Sequence, residues 1–438
     1  MKSLQFKDLL INFTTEFDQC WSDWGSGADE SFAVWRPSTS SDALKHFSSL
    51  GDVAVGSHRN INQQRIVAVV SDANQMDGTA LRPPDDYQLV WKDSGSGAAA
   101  NGSIWRPVPP PGYVAMGHMC GMQHEKPSRN AMRCVRADLV IASTTGDRIW
   151  ADHGSGADKD FSAWTISAPR AEPGEINLAP GTFVAHASHG KPPEHTPTYS
   201  LRLQLTAPVI SPVPPPALSA YEQPSLRQPS HASTVCELPW FCVRDPVLGA
   251  TLQLQDSPHY QVQRTDTYVL AGFGHNPSAA SKPFTWTATK GADRSATQTL
   301  KSTSSVELFT QWPTHPHLFM MNFSAQFDTD FTHTQHSVNA WLTRSPLEII
   351  TYIPAHKAVA GYLIQSEYKV LRQDGSQLAN AVIFTNGDQV HMSEFPVHEP
   401  EPESNPAIVN EPPAAVSPEA DNDLEIVIDD FIDHPLSP

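Results

Sequence analysis

The sequence has few charged residues, few cysteines and no long apolar run. Charged residues make up 17% of the 438 positions, and cysteine occurs five times. So little Lys and Glu disfavours coiled coils and helical solenoids, and a sparse, odd set of cysteines is not a disulfide framework. Cys236 and Cys242 could pair, but we expect free thiols. No stretch approaches the roughly 18 apolar residues of a transmembrane helix, which excludes a helical membrane span. The length alone predicts two or three domains with ample material for a buried core.

The sequence also lacks the common enzyme motifs. It contains no HExxH, no G-x-S-x-G elbow, no P-loop and no Rossmann glycine run between a strand and a helix. We therefore expect a protein that is not an enzyme and needs no cofactor. His118, Cys120 and His124 could hold zinc or copper. Because no fourth ligand stands at a recognised spacing, we expect a structural loop there and no metal.

Positive charge is missing from the C-terminal end of the chain. Lys and Arg number 29 against 47 Asp and Glu, a net charge of −18, which disfavours nucleic-acid binding. Eleven of the acids lie from Glu399 onwards, without a Lys or Arg, so the remainder carries −18 + 11 = −7. Residues 396–438 are also rich in proline, and this composition predicts a disordered acidic tail.

An internal repeat, W-x-D-x-G-S-G-A, occurs three times. The copies are Trp21–Ala28, Trp91–Ala98 and Trp150–Ala157, and a second tryptophan follows each first one at Trp35, Trp105 and Trp164. The Asp can accept backbone N–H bonds and the glycines permit a tight turn, so each copy predicts a strand, a turn and a strand. One such unit cannot bury its own apolar face. Three should therefore close around a common axis with the tryptophans inward.

The turn aspartates Asp23, Asp93 and Asp152 are candidate receptor- or ligand-binding residues. Three acidic turns at one end of a trefoil could bind equivalent ligands, such as sugars or a cation. The alternative is that each Asp only holds its own turn. Arg36 and Arg106 follow the second tryptophans of two repeats. They could stack on tryptophans, pair with the turn aspartates or, as the lesser alternative, bind an anion.

Composition divides the chain into four regions. They are a head over 1–207, a Pro-rich linker over 208–234, a strand-like region over 235–395 and the tail over 396–438. In the strand-like region, the run Phe319–His333 alternates apolar and polar residues, which predicts a strand with one apolar face. A soluble sheet explains this pattern. A transmembrane barrel strand of roughly 9–11 residues explains it too. On the second interpretation, the candidate membrane-inserting residues are Phe319, Met321, Phe323, Phe327 and Phe331.

The head resembles the vacuolar-protein-sorting sixty-two family. The resemblance is carried by the three repeats, by Ser103–Gly117 and by Lys126–Val140. It implies a β-prism-like fold of three sheets, and the family's name implies a link to trafficking. The third repeat departs from the pattern, because TISAP follows Trp164 where the first two repeats have WRP.

The strand-like region is similar to the aerolysin-like β-pore-forming toxins. The similarity is carried by Gly272–Asn276, Thr285–Ser305 and Ile350–Val370. The last segment looks like the family's element of two prolines followed by an amphipathic strand, with Ala355 in place of the second proline. The resemblance implies long Ser/Thr-rich strands joined to a head that binds a receptor.

Together these observations predict an all-β protein. A pseudo-threefold β-prism-like head is joined by a Pro-rich linker to an elongated aerolysin-like β domain, which a disordered acidic tail follows. The implied function is a pore-forming toxin, with insects as one candidate target. It binds a glycan or lipid-associated receptor, forms homo-oligomers and inserts a β-barrel. The alternative is a non-enzymatic module for endomembrane trafficking or glycan binding.

The two ends of the chain lead to one further expectation each. The N-terminal residues lack the apolar stretch of a secretory signal. We therefore expect synthesis in the cytoplasm without a signal peptide, then release and action at a target-cell membrane. In the tail, Leu424–Ile432 is apolar enough to dock. We hypothesise that it masks an oligomerisation surface until the tail is cleaved. The alternative is a tail that only keeps the protein soluble.

Overall fold

The structure is a computed structural model that describes residues 3–205, 214–228, 231–243, 245, 247–292, 321–326, 345–378, 381–387 and 389–397. Most of the predicted tail lies outside these residues. None of the helices in the described part of the chain has the length and apolarity that a membrane crossing requires.

The described part of the head consists of short strands arranged in six small sheets. In chain order the strands are β1 (Leu4–Phe6), β2 (Leu9–Thr14), β3 (Phe17–Ser22), β4 (Ala33–Pro37), β5 (Val53–Val55), β6 (Val67–Asp72), β7 (Leu81–Arg82), β8 (Asp86–Lys92), β9 (Gly102–Val108), β10 (Tyr113–Val114), β11 (Met119–Met122), β12 (Cys134–Arg136), β13 (Val140–Ala142), β14 (Thr144–Ala151), β15 (Ser162–Ser167), β16 (Glu175–Ala179), β17 (Val184–His186) and β18 (Tyr199–Gln204). Single 3₁₀ turns lie at Arg129–Ala131 and Ala137–Leu139.

The remaining elements follow the head in sequence. They are β19 (His231–Pro239), a 3₁₀ turn at Trp240–Cys242, α1 (Ala250–Asp256), β20 (His259–Asn276), β21 (Lys282–Ala292), β22 (Asn322–Gln326), β23 (Ser345–Ile353), β24 (Lys357–Leu371), β25 (Val382–Thr385) and β26 (His391–Phe395). Except for β22, these strands form one seven-stranded sheet in the order β19-β20-β24-β25-β21-β23, with β26 also paired to β24. The all-β fold class is therefore confirmed.

The three repeats form three equivalent sheets of three strands each. The sheets are β3-β4-β5, β8-β9-β11 and β14-β15-β17. Each sheet has a register shift immediately before its first tryptophan, at Trp21, Trp91 and Trp150. Because an irregularity recurs at the same place in every copy, the repeats share one backbone design, and the pseudo-threefold head is confirmed.

The first tryptophan of each repeat lies at the common axis. Trp21, Trp91 and Trp150 are at most 4% exposed and share one hydrophobic cluster. Each indole Nε1 donates to a backbone carbonyl of another repeat, at Ala100, Lys159 and Glu30 respectively, over 2.7–2.8 Å. Since the three bonds run around the axis, they join the repeats into a closed ring.

The second tryptophans, Trp35, Trp105 and Trp164, pack away from this axis. They belong to three separate clusters. The reason is strand geometry: Val34, Ile104 and Ala163 face the axial cluster, and neighbouring residues on a strand point to opposite faces. The expectation that all the repeat tryptophans point inward therefore holds for only one of each pair.

Part of the Pro-rich linker packs against the strand-like region. Leu218 is buried and its N–H donates to Ser393 Oγ over 2.7 Å, and the N–H of Gln228 donates to the carbonyl of Tyr268 over 3.0 Å. One hydrophobic cluster also joins head residues to Trp240 and Phe241. The four region boundaries read from composition stay a prediction.

The longest ladder among the described residues joins β20 to β24. It runs antiparallel from Gln261 opposite Leu371 to Asn276 opposite Lys357. On this ladder Gly272 lies opposite Gly361, and the indole of Trp286 from β21 packs against both glycines. The pair of glycines therefore provides the space that lets β21 approach β20 and β24.

Strand β22 lies apart from the other late strands and extends a sheet of the head. It pairs antiparallel with β16, so this head sheet has the order β13-β18-β16-β22. Met321 and Phe323 are buried in the cluster that contains Phe241. On the other face, Asn322 Oδ1 accepts from the N–H of Ala168 over 2.7 Å, and Ser324 Oγ accepts from the N–H of Ala171 over 2.9 Å.

The alternating run is thus a strand where the structure describes it, but both of its faces are occupied. Phe319, Phe327 and Phe331 lie outside the described residues. Whether the run enters a membrane stays a prediction.

Candidate ligand-binding tip of the head

Two of the three turn aspartates hold their own turns. The N–H of Phe32 donates to Asp23 Oδ1 over 2.8 Å, and the N–H of Phe161 donates to Asp152 Oδ1 over 2.9 Å. Both carboxylates are at most 5% exposed. The geometry therefore favours the structural alternative for these two residues.

Each turn has a histidine partner that the sequence motif did not include. His58 Nε2 donates to Asp23 Oδ1 over 2.5 Å, and His189 Nε2 donates to Asp152 Oδ1 over 2.6 Å. In both repeats the histidine follows the third strand as part of a Ser-His dipeptide. That shared dipeptide is the signal that could have extended the motif.

The second repeat departs from this arrangement. His124 Nε2 donates to the backbone carbonyl of Asp93 over 2.5 Å, and Asp93 Oδ1 has no hydrogen-bond partner in the described part of the chain. Burial raises the pKa of Asp93. Gly102 replaces the phenylalanine of the other repeats, and a Cβ there would lie 2.4 Å from the Trp21 ring. Glycine at position 102 therefore leaves the space that the indole ring of Trp21 occupies.

The three turn loops form a connected rim, which we call the tip (residues 23–32, 93–102 and 152–161). One backbone bond of 2.7–2.9 Å joins each pair of loops; the bonds run from Ala99 N to Trp24 O, from Asp158 N to Ser94 O and from Asp29 N to His153 O. Because every loop both donates and accepts, these backbone bonds alone link the three loops into a closed ring.

The side chains that follow the turn aspartates differ in the three loops. Trp24 is 64% exposed and meets His58 edge-on, with ring centroids 5.2 Å apart. The equivalent residue of the third repeat, His153, lies against His189 with centroids 3.8 Å apart. In the second repeat the position is Ser94. The tip therefore has a threefold backbone and only one large exposed aromatic ring at this position.

The predicted arginines lie away from the turn aspartates. Arg36 Nε and a terminal nitrogen each bond to the buried Asp52 carboxylate over 2.9 Å, and Arg36 also donates to the carbonyl of Cys120. Burial works against the charged guanidinium, but Asp52 outweighs it and raises the pKa of Arg36. Arg106 is exposed and bonds to Gln88. The two arginines therefore bond to Asp52 and Gln88, and not to the turn aspartates that the sequence suggested as partners.

The residues considered as metal ligands do not form a common site. Burial lowers the pKa of His118 to about 4 and raises the pKa of Cys120, while His124 bonds at the tip. Within the described residues, no group of three or more His, Cys, Asp or Glu side chains could hold a metal ion. All five cysteines, including Cys236 and Cys242, are free thiols.

The described residues thus form an all-β protein in which a β-prism-like head with three equivalent turns is followed in sequence by a sheet of long antiparallel strands. Residues 2–208 match the family model of vacuolar protein sorting-associated protein 62, which confirms the resemblance of the head. Among curated proteins, none matches this chain.

Two solved structures are similar to the chain. GNIP1Aa from Chromobacterium piscinae is 27% identical over 44% of this chain and 37% of its own, with a TM-score of 0.38. The match thus spans well under two thirds of GNIP1Aa. Cry35Ab1 is 12% identical over 90% of this chain and 91% of its own, with a TM-score of 0.31.

Proposed function

We propose that this protein is a pore-forming toxin. Its head binds a receptor on the membrane of a target cell, and insect cells are one candidate target. Several copies then assemble, and each copy contributes a β-hairpin to one barrel. The observation that carries the proposal is the position of the segment between β21 and β23.

That segment leaves and returns at the same point of the fold. The ladder of β21 and β23 is antiparallel, from Lys282 opposite Ile353 to Lys290 opposite Ser345. The chain after β21 and the chain before β23 therefore start from adjacent positions. If the ladder continued through residues 293–344, it would form a hairpin that extends both strands.

The sequence of this segment suits a hairpin that crosses a membrane. It begins rich in Ser and Thr and contains the alternating run Phe319–His333. A barrel strand needs roughly 9–11 residues to cross, so the segment is long enough for two crossings and a turn. Since unpaired strand groups cannot remain in lipid, several chains would have to close one barrel.

Insertion of this run would require β22 to leave the head. In the structure Phe323 packs against Phe241, with ring centroids 4.9 Å apart, and β22 pairs with β16 over five residues. Pore formation and the β22–β16 pairing are therefore mutually exclusive on this proposal. That exclusion can be tested directly.

The test is dye release from target-cell membrane vesicles by a chain whose β22 is locked to the head. Asn177 and Ser324 are directly opposite in the ladder, so Asn177→Cys combined with Ser324→Cys places two thiols where a disulfide can form. We expect the oxidised double variant to release no dye and a reductant to restore release. Each single variant is the control for lost packing.

Two outcomes contradict the proposal at different points. Full release by the oxidised double variant would show that β22 does not insert. The absence of both dye release and detergent-resistant rings with the unmodified chain would overturn the pore itself.

The family match of the head favours one second candidate, a non-enzymatic trafficking module on endomembranes. Its acidic tail would then be a docking segment. Specific binding to a trafficking complex, without ring formation on membranes, would support this candidate over the toxin.

A further inference from the structure

The exposed indole of Trp24 is not needed for the fold of the tip. Its backbone carbonyl accepts from Ala99, and the carbonyls of Ser94 and His153 do the same for the neighbouring loops. Serine and histidine therefore fill this position equally well in the same backbone. The repeat provides an internal control: what distinguishes Trp24 is a large apolar face that is left in solvent.

The side chain beside this indole is fixed. His58 Nε2 is bonded to Asp23, which is 5% exposed and also holds the N–H of Phe32. His58 itself remains 25% exposed at its side chain. The imidazole is therefore held next to the indole with part of its side chain in solvent, so that the indole face and the imidazole are presented together.

The charge around the pair narrows the class of ligand. The exposed charged residues around the pair include more acids than bases: Asp29, Glu30, Asp158 and Asp160, against Arg59, Arg148 and Lys159. A rim in which carboxylates outnumber cations works against the binding of phosphate, sulfate and carboxylate groups. An anionic lipid headgroup or an acidic sugar is accordingly disfavoured, and a neutral ligand is favoured.

We propose that Trp24 and His58 form a binding site for a neutral sugar residue of a glycan. A pyranose ring has a face of C–H groups that can pack on the exposed indole, and its hydroxyls can bond to the second ring nitrogen of His58. This inference deepens the proposed function, because it names the site and chemical class through which the head recognises its receptor.

The test uses the full chain and a panel of immobilised neutral glycans that end in galactose, N-acetylgalactosamine, mannose or N-acetylglucosamine. Trp24→Ser places in the first repeat the residue that the second repeat has. We expect this variant to bind at least tenfold more weakly than the unmodified chain and to keep its melting temperature. His153→Ser, at the equivalent position of the third repeat, is the matched control and should bind as the unmodified chain does.

Three outcomes would overturn the site. They are no binding of the unmodified chain to any glycan of the panel, equal binding by Trp24→Ser, and a Trp24-dependent association with bare phosphatidylcholine vesicles in place of glycans. The last would assign the indole to the membrane interface. Glycan binding without dye release from vesicles that carry the same glycan would overturn the pore and leave the site standing.

Discussion

At the scale of single residues, we expect the buried rings at the axis to contribute strongly to the stability of the head. Trp91 is 2% exposed, stacks on Phe161 with centroids 4.9 Å apart and donates to the carbonyl of Lys159. Trp91→Ala removes a large buried ring and leaves that carbonyl without its donor. We expect a loss of about 3–5 kcal/mol in the free energy of unfolding, measured by urea denaturation.

The exposed tryptophan of the first repeat is the control for this change. Trp24→Ala should alter the free energy of unfolding by no more than about 0.5 kcal/mol, as for most exposed positions. Equal losses for the two variants would mean that the axial ring does not stabilise the head.

A second residue makes the head sensitive to acid. Burial lowers the pKa of His118 to about 4, against about 6.5 in an unfolded chain. Between these two values the unfolded chain binds a proton at His118 and the folded chain does not, so stability falls as the pH falls through this window. The difference corresponds to at most about 3 kcal/mol, and to less where water reaches the ring.

His118→Gln tests this linkage, because glutamine can still accept the bond from the N–H of Ala185. We expect the stability difference between the two proteins to change in favour of the variant as the pH is lowered from 6.5 to 4. A difference that is constant over this range would contradict the assignment.

At the scale of elements, the packing of β21 against the β20–β24 ladder depends on two glycines. A Cβ at Gly272 would lie 2.0 Å from the indole of Trp286, and one at Gly361 would lie 2.9 Å from it. We expect Gly272→Ala to lower stability by about 1–3 kcal/mol through overpacking, which a thermal melt would detect. Gly190→Ala, at an exposed position with only an ordinary contact, should have little effect. Equal melting temperatures for both variants would contradict this packing.

The turns and strands also differ in how much of their structure could be predicted from the sequence. The repeat turns were predictable, because an Asp and its glycines lie within a few residues and act locally. The partner of β22 was not, because alternation indicates a strand but carries no information about which edge it joins. The bonds from Ala168 and Ala171 to Asn322 and Ser324 connect segments about 150 residues apart.

The candidate site divides in the same way. The sequence pointed to Asp23 because the motif repeats, and it missed His58 because that residue arrives from a later strand. Trp24 was visible in the motif only as a variable position. Its exposure, which makes it a site, is a property of the folded tip.

At the scale of the whole molecule, the fold sets where the chain can be shortened. Strand β26 pairs with β24 up to Phe395 opposite Ala358, Glu394 forms an ion pair with Lys357 over 2.6 Å, and Tyr221 packs on Phe395 with ring centroids 5.0 Å apart. A chain that ends at Val397 keeps all of these contacts. A chain that ends at Val390 loses the strand.

We therefore expect the chain ending at Val397 to melt at the temperature of the full chain and the chain ending at Val390 to melt lower, by differential scanning calorimetry. The longer of the two then tests the tail without a change of fold. If Leu424–Ile432 masks an oligomerisation surface, its removal ends a contact that tethering keeps occupied at high effective concentration, and more rings should form on membranes. Equal ring yields would assign the tail to solubility alone and leave the pore proposal unchanged. A lower melting temperature for the chain ending at Val397 would mean that the tail contributes to the fold.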